Sequence, residues 1–235
     1  MKWTFAFLLS ISGFTASSQM VINDPNATLR QVKSFNSIMV TGAVDVLLTH
    51  GNQIAVAVSA PESVGNDVIL TEVKDNTLKI SVKSSPFRIS SRGKLRVYVS
   101  YTQLEKINAL SACNINFADA YNGDKLSIQL TGACDLKGTF NASKLNVKLT
   151  GASDAQLSGK ALEVSLESVG ASDFKAFGLT TEKLDASLSG ASDARITVTG
   201  SVTGKISGAS NLFIKGNPSQ RDIKKSGASS AKFIE

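Results

Sequence analysis

The chain has 235 residues, 42% of them hydrophobic and 19% charged, with 18 Gly, only 4 Pro and a formal net charge of +6. The basic excess is mild, reads as distributed along the chain, and has no nucleic-acid motif beside it, which argues against nucleic acid as a partner. His50 is the single histidine, so a His-based metal centre is excluded, and any His-dependent triad would have to use that one residue.

Residues 1–18 read as a secretory signal peptide. Lys2 supplies the positive start, Trp3 to Phe14 an apolar core, and Ala16-Ser17-Ser18 a small-residue cleavage region. Cleavage is expected near Ser18–Gln19, leaving 24 basic against 19 acidic residues, a net +5. No cysteine lies near that junction, which argues against a lipoprotein anchor, and no later segment is long and apolar enough to span a bilayer. The chain is therefore expected to be exported, to the periplasm or the cell surface.

Residues 19–31 are polar and contain Asn23-Asp24-Pro25-Asn26, the pattern of a loose leader. A β region follows over 32–109. Its candidate strands are Ser37–Thr41, Val44–Thr49, Ile54–Ser59, Val68–Val73, Thr77–Val82 and Leu95–Ser100. Turn signals at His50-Gly51-Asn52, Pro61 to Asn66, Asp75-Asn76 and Ser84 to Gly93 separate them. The irregular spacing fits either an antiparallel cap or irregular first coils of a solenoid. The echo of a later phrase in Thr41-Gly42-Ala43-Val44-Asp45 favours continuity.

From 110 to 235 one short phrase recurs. It reads Ser111-Ala-Cys-Asn114, Gly132-Ala-Cys-Asp135, Gly151-Ala-Ser-Asp154, Gly170-Ala-Ser-Asp173, Gly190-Ala-Ser-Asp193, Gly208-Ala-Ser-Asn211 and Gly227-Ala-Ser-Ser230. Successive phrases start 21, 19, 19, 20, 18 and 19 residues apart, the signature of stacked coils. Between them, Leu126, Ile128 and Leu130, then Leu145, Val147 and Leu149, and their later equivalents alternate with polar residues, as half-buried strands do. A shorter strand is expected after each Asp or Asn. The spacing thus predicts an all-β fold, a parallel β-solenoid of about 19-residue coils with the 32–109 region covering one end. Seven phrases at one strand spacing each make a rod roughly 30 Å long. Gly132, Gly151, Gly170, Gly190, Gly208 and Gly227 are expected at the corners, where a Cβ would be forbidden.

Several of these features resemble one bacterial family. They are Phe35 to Ile38 followed by Gly42-Ala43-Val44-Asp45-Val46, then Gly51, Leu78-Lys79-Ile80, Leu95 to Val99, Leu104 to Ile107, and the run of Gly-Ala-Ser-Asp phrases. The family is described as "putative auto-transporter adhesin, head GIN domain" and is common in Bacteroidetes. The resemblance covers about Val32 to Phe233 and implies an exported β-solenoid, with no catalytic residues to carry over. This chain departs by an Ala where a second Gly is usual and by Cys in two phrases.

Among candidate sites, the column Asp135, Asp154, Asp173 and Asp193 could offer stacked oxygens to Ca²⁺. The structural reading is favoured: the carboxylates cap the corners, and Lys137, Lys175 and Arg195, two residues further on, offset their repulsion. Cys113 and Cys134 occupy one place in consecutive phrases, where rung spacing and an oxidising compartment favour a disulfide over two free thiols. His50 fits a surface turn. Asp154 and Asp173, about one rung apart, come close to the geometry of a retaining sugar-cleaving pair, but few aromatics are available to stack on a sugar. The expectation is a non-enzymatic binding or scaffold module without cofactors, taking a protein or glycan ligand or a second copy of itself. A glycan-binding or glycan-cleaving β-helix is the alternative.

Overall fold

The computed structural model describes residues 22–83 and 93–234. The signal peptide, its cleavage point and most of the Ser84–Gly93 turn lie outside the described residues. The N-terminal strands are β1 (Thr28–Arg30), β2 (Ser37–Thr41), β3 (Asp45–His50), β4 (Ala55–Ser59), β5 (Ile69–Lys74), β6 (Thr77–Val82), β7 (Arg96–Tyr101), β8 (Lys106–Ser111) and β9 (Asn114–Phe117). Long strands follow: β10 (Tyr121–Gly132), β11 (Asp135–Gly151), β12 (Asp154–Gly170), β13 (Asp173–Gly190) and β14 (Asp193–Ile206). The last are β15 (Asn211–Lys215), β16 (Gln220–Lys225) and β17 (Ser230–Ile234). One 3-10 turn, Asn66–Val68, interrupts them, and no helix among the described residues is long and apolar enough to cross a membrane.

The protein is a parallel β-solenoid. β10 to β14 pair in chain order, phrase upon phrase: Gly132 beside Gly151, Gly170 and Gly190, and Asp135 beside Asp154, Asp173 and Asp193. The alternation read from the sequence becomes inward columns. Leu126, Leu145, Val164, Leu184 and Val202 form one; Ile128, Val147, Leu166 and Ala186 the next, all at most 2% exposed. Across the core, Leu136, Ala155, Phe174, Ala194 and Leu212 alternate large with small, so each bulky side chain lies over a short neighbour. A coil alone could bury neither column, and stacking buries both.

The corners explain the glycines. All six predicted corner glycines have positive φ, and at Gly151 (φ +91°) an added Cβ would lie 2.7 Å from the carbonyl oxygen of Gly132 in the coil below. That carbonyl accepts the Ala152 N–H at 2.8 Å, and the pattern recurs from Gly151 to Ala171 and from Gly190 to Ala209. The glycine is thus required twice over, by backbone angle and by the close approach of the neighbouring coil.

The N-terminal part joins the same stack in a different order. β2 lies between β6 and β8, parallel to both, and β3 lies between β7 and β9. The first coil is therefore threaded between two later ones, and Asp45 stands beside Asn114 in the Asp column. Antiparallel strands finish this end: β5 on β6, β4 on β7, and β1 on β4. Both readings of the irregular region are present, coils continuous with the solenoid and an antiparallel cap over their open end, where free strand edges would invite pairing. Part of the expected loose leader is held down. β1 is a strand, and Asp24 accepts a 2.8 Å hydrogen bond from the Tyr98 hydroxyl. Burial raises the Asp24 pKa, but hydrogen bonds, first from Tyr98, bring it below the ordinary carboxylate value.

Candidate functional site

The Asp column lies on the outer face of the rod, and its members meet different partners. Asn114 donates to Asp45 at 2.7 Å and Asn211 to Asp193 at 2.9 Å. Lys175 bridges two rungs, at 2.9 Å from Asp154 and 3.2 Å from Asp173, and Arg195 sits 3.3 Å from Asp193. Hydrogen bonds to Asp154 and then Asp173 raise the Lys175 pKa above its ordinary value. Asp135 and Lys137 are exposed and form no ion pair among the described residues, so the offset expected for them is made only at the next rungs. Among the described residues, no group of three or more His, Cys, Asp or Glu side chains is disposed to hold a metal ion.

Corner capping falls mainly to a different column. The phrase's third residue points inward, and Ser153, Ser172, Ser192 and Ser210 are fully buried. Ser172 donates to the Gly151 carbonyl at 3.1 Å, Ser210 to Gly190 at 3.3 Å, and the Ser172 hydroxyl accepts the Ser153 N–H at 3.4 Å. Corner amides otherwise bond carbonyls of the coil below, as Asp154 does to Cys134 and Asp193 to Ser172. Among the described residues an Asp carboxylate of the column accepts a corner N–H once, Asp154 from Asp173 at 3.3 Å. The physical reason is direction: the Asp side chain leaves the outer face, while the Ser hydroxyl is left among backbone groups.

Cys113 and Cys134 begin this buried column. Their sulfurs are 3.2 Å apart, and each thiol also lies near the carbonyl three residues earlier, Leu110 at 3.6 Å and Thr131 at 3.5 Å. The hydrogen bond to Cys134, followed by burial, pushes the Cys113 thiol far above its ordinary value. His50 is exposed, its N–H donates to the Asp119 carboxylate at 3.0 Å, and its ring meets the edge of Tyr101 at 5.7 Å.

Beside the Asp column runs a shallow concavity. Two adjoining hollows, of about 380 and about 790 Å³, share Asn116, Lys137, Gln156 and Lys175 and form one trough across β9, β11, β12 and β13. Thr139 and Ser158 add hydroxyls, hydrogen-bonded to each other at 2.9 Å. Phe177 lines the wider hollow and is 40% exposed. It reaches solvent because the alternation that buries Phe174 and Ala176 turns Lys175 and Phe177 outward. An extra residue follows, the register slipping between Gln156 and Ser158, and β14 pairs with neither Phe177, Gly178 nor Leu179. The 20-residue step from Gly170 to Gly190 is the trace of that extra residue in the sequence. Tyr101 and Tyr121 offer no face to a sugar, since both are buried, and burial raises the pKa of each.

The sequence matches the family described as "putative auto-transporter adhesin, head GIN domain" over residues 34–218. The chain belongs to this family. Solved structures share the fold. A putative adhesin from Bacteroides fragilis superposes with a TM-score of 0.81 at 24% identity, covering 88% of this chain and 96% of its own. A putative adhesin from Parabacteroides distasonis gives 0.71 at 19%, covering 88% and 96%. A structure from the same species described as a putative lipid binding protein gives 0.66 at 17%, covering 89% and 98%. No match is found among curated proteins. In this head GIN domain the phrase glycines are corners and the phrase serines are buried caps, while the trough's Phe177 lies on the outward face of β13.

Proposed function

We propose that this head GIN domain is an exported, non-enzymatic binding module of the adhesin type, and that its trough holds an extended glycan. The observation that carries the reading is Phe177, an apolar ring on the outward face of β13 and flanked by polar side chains one rung apart. An aromatic face beside a row of hydroxyl, amide and ammonium groups suits a sugar, which has an apolar ring face and a polar edge. The rigid rod spaces these groups repeatedly, as suits a polymer more than a small molecule.

Lys175 argues against sugar cleavage. A glycosidase needs one carboxyl kept protonated as the acid, usually in a dry pocket. Asp154 and Asp173 are instead 42% and 39% exposed and share an ammonium group. The test is a glycan array probed with the full chain, followed by titration of the retained glycans with Lys137→Ala and Gln156→Ala variants. Retention weakened by both variants, with the glycan recovered uncut, is the expected result. Shortened glycan, or affinity indifferent to both variants, overturns the proposal.

A further inference from the structure

The tip of the rod built by β16 and β17 is where the positive charge gathers. Residues 203–235 hold six cations against two acids, a net +4, whereas the 184 residues 19–202 hold eighteen against seventeen, a net +1. The basic excess read above as distributed is therefore concentrated in the last two rungs, a correction that the count along the chain itself gives. Lys205, Lys215, Arg221, Lys224, Lys225 and Lys232 are all exposed, and none joins an ion pair among the described residues.

Two details make this arrangement more than a solvated surface. Lys224 stands beside Lys205 in adjacent rungs, where like charges repel unless an anion lies against them. The inward columns also change character. The column through Val164, Leu184 and Val202 ends in Arg221, and the column through Leu188 and Ile206 ends in Lys225. Arg221 lies 4.0 Å over the Phe233 ring, held by Asn217 at 2.6 Å and the Pro218 carbonyl at 3.0 Å. A further coil stacked here would bury these charges, so the tip resists end-to-end addition of a second copy. Yet on this last rung Phe233, in line with the inward Ile214, and Ile234, in line with the outward Lys215, remain 36% and 40% exposed.

We propose that this tip docks on an anionic phospholipid surface, the cations meeting headgroup phosphates and Phe233 with Ile234 reaching the acyl boundary. A soluble polyanion would engage the cations and leave both apolar side chains in water; an anionic bilayer engages both sets. The site is separate from the trough, and its test is separate too. The full chain is sedimented with phosphatidylcholine vesicles, with and without about 30% phosphatidylglycerol, at low and high salt. Binding only to the anionic vesicles, weakened by salt, is expected. Lys224→Gln with Lys225→Gln should lower partition about thirty-fold, each cation near the surface contributing about fivefold. Phe233→Ser should lower it further, while Phe177→Ser in the trough leaves it unchanged. Equal binding to neutral vesicles, binding to neither, or end-to-end self-association of the free chain would overturn the proposal.

Discussion

Gly151→Ala tests the stacking of corners on which the rod depends. Alanine at φ +91° meets the left-handed penalty, about 1–2 kcal/mol. Its Cβ would also sit 2.7 Å from the Gly132 carbonyl oxygen. Relief requires the two rungs to part by several tenths of an ångström, weakening the 2.8 Å bond from Ala152 to that carbonyl by about 1 kcal/mol. The sum is about 2–3 kcal/mol, a fall in Tm of about 4–12 °C for a domain this size. Urea unfolding followed by circular dichroism should give a lower midpoint with an unchanged slope. Gly227→Ala, in the final coil with a Cβ 2.8 Å from the Gly208 oxygen, should cost less because no described coil stacks above it. A Gly151→Ala protein within about 0.5 kcal/mol of the parent would refute the corner argument.

Ser111 holds the glycine place in the first phrase with φ +85°, so Ser111→Gly should stabilise the protein by about 1 kcal/mol in the same assay; a destabilisation counts against it. In protein purified from an oxidising compartment, Cys113 and Cys134 should be bridged, their two electrons passing to a small disulfide that is reduced to thiols; alkylation of the denatured chain that finds two free thiols contradicts this. Thermal unfolding should be the same in Ca²⁺ and in chelator, and a midpoint that rises with calcium and is abolished by Asp173→Asn would make the Asp column a metal site. Lys175→Met should cost under about 1 kcal/mol, since the pair is half exposed. Because the folded pKa of Lys175 is raised, this contribution is complete below its unfolded value of about 10.5 and fades as pH climbs past the folded value, so the two proteins should converge only in strong alkali.

The repeat itself was the most legible feature. A phrase of fixed chemistry with period-two strands between leaves one efficient way to bury Leu145, Val147 and Leu149, and the stack follows. Corner glycines were legible because their role is local. The threading of β2 and β3 between later coils was not, since parallel strands of equal length pair equally well in either order by pattern alone. Capping was assigned to Asp because Asx turns are common, whereas the inward position decided for the smaller Ser. Phe177 falls on the outward side of the alternation that buries Phe174 and Ala176, but nothing in that pattern shows that the neighbouring rungs form a trough beside it. The cationic tip could be counted in the sequence, but its meaning depends on Arg221 and Lys225 ending core columns.

The central claim is that the trough under Phe177 binds a glycan and does not cut it. Calorimetric titration of the full chain and of Phe177→Ser with one glycan retained on the array tests it most directly. The substitution lies on an exposed side chain and leaves the stack intact. The parent protein should bind with the glycan unchanged at the end of the titration, and Phe177→Ser should bind about ten-fold more weakly, the loss of roughly 1–1.5 kcal/mol of aromatic contact. Equal affinities for the two proteins, or a heat signal that continues as the glycan shortens, would contradict it.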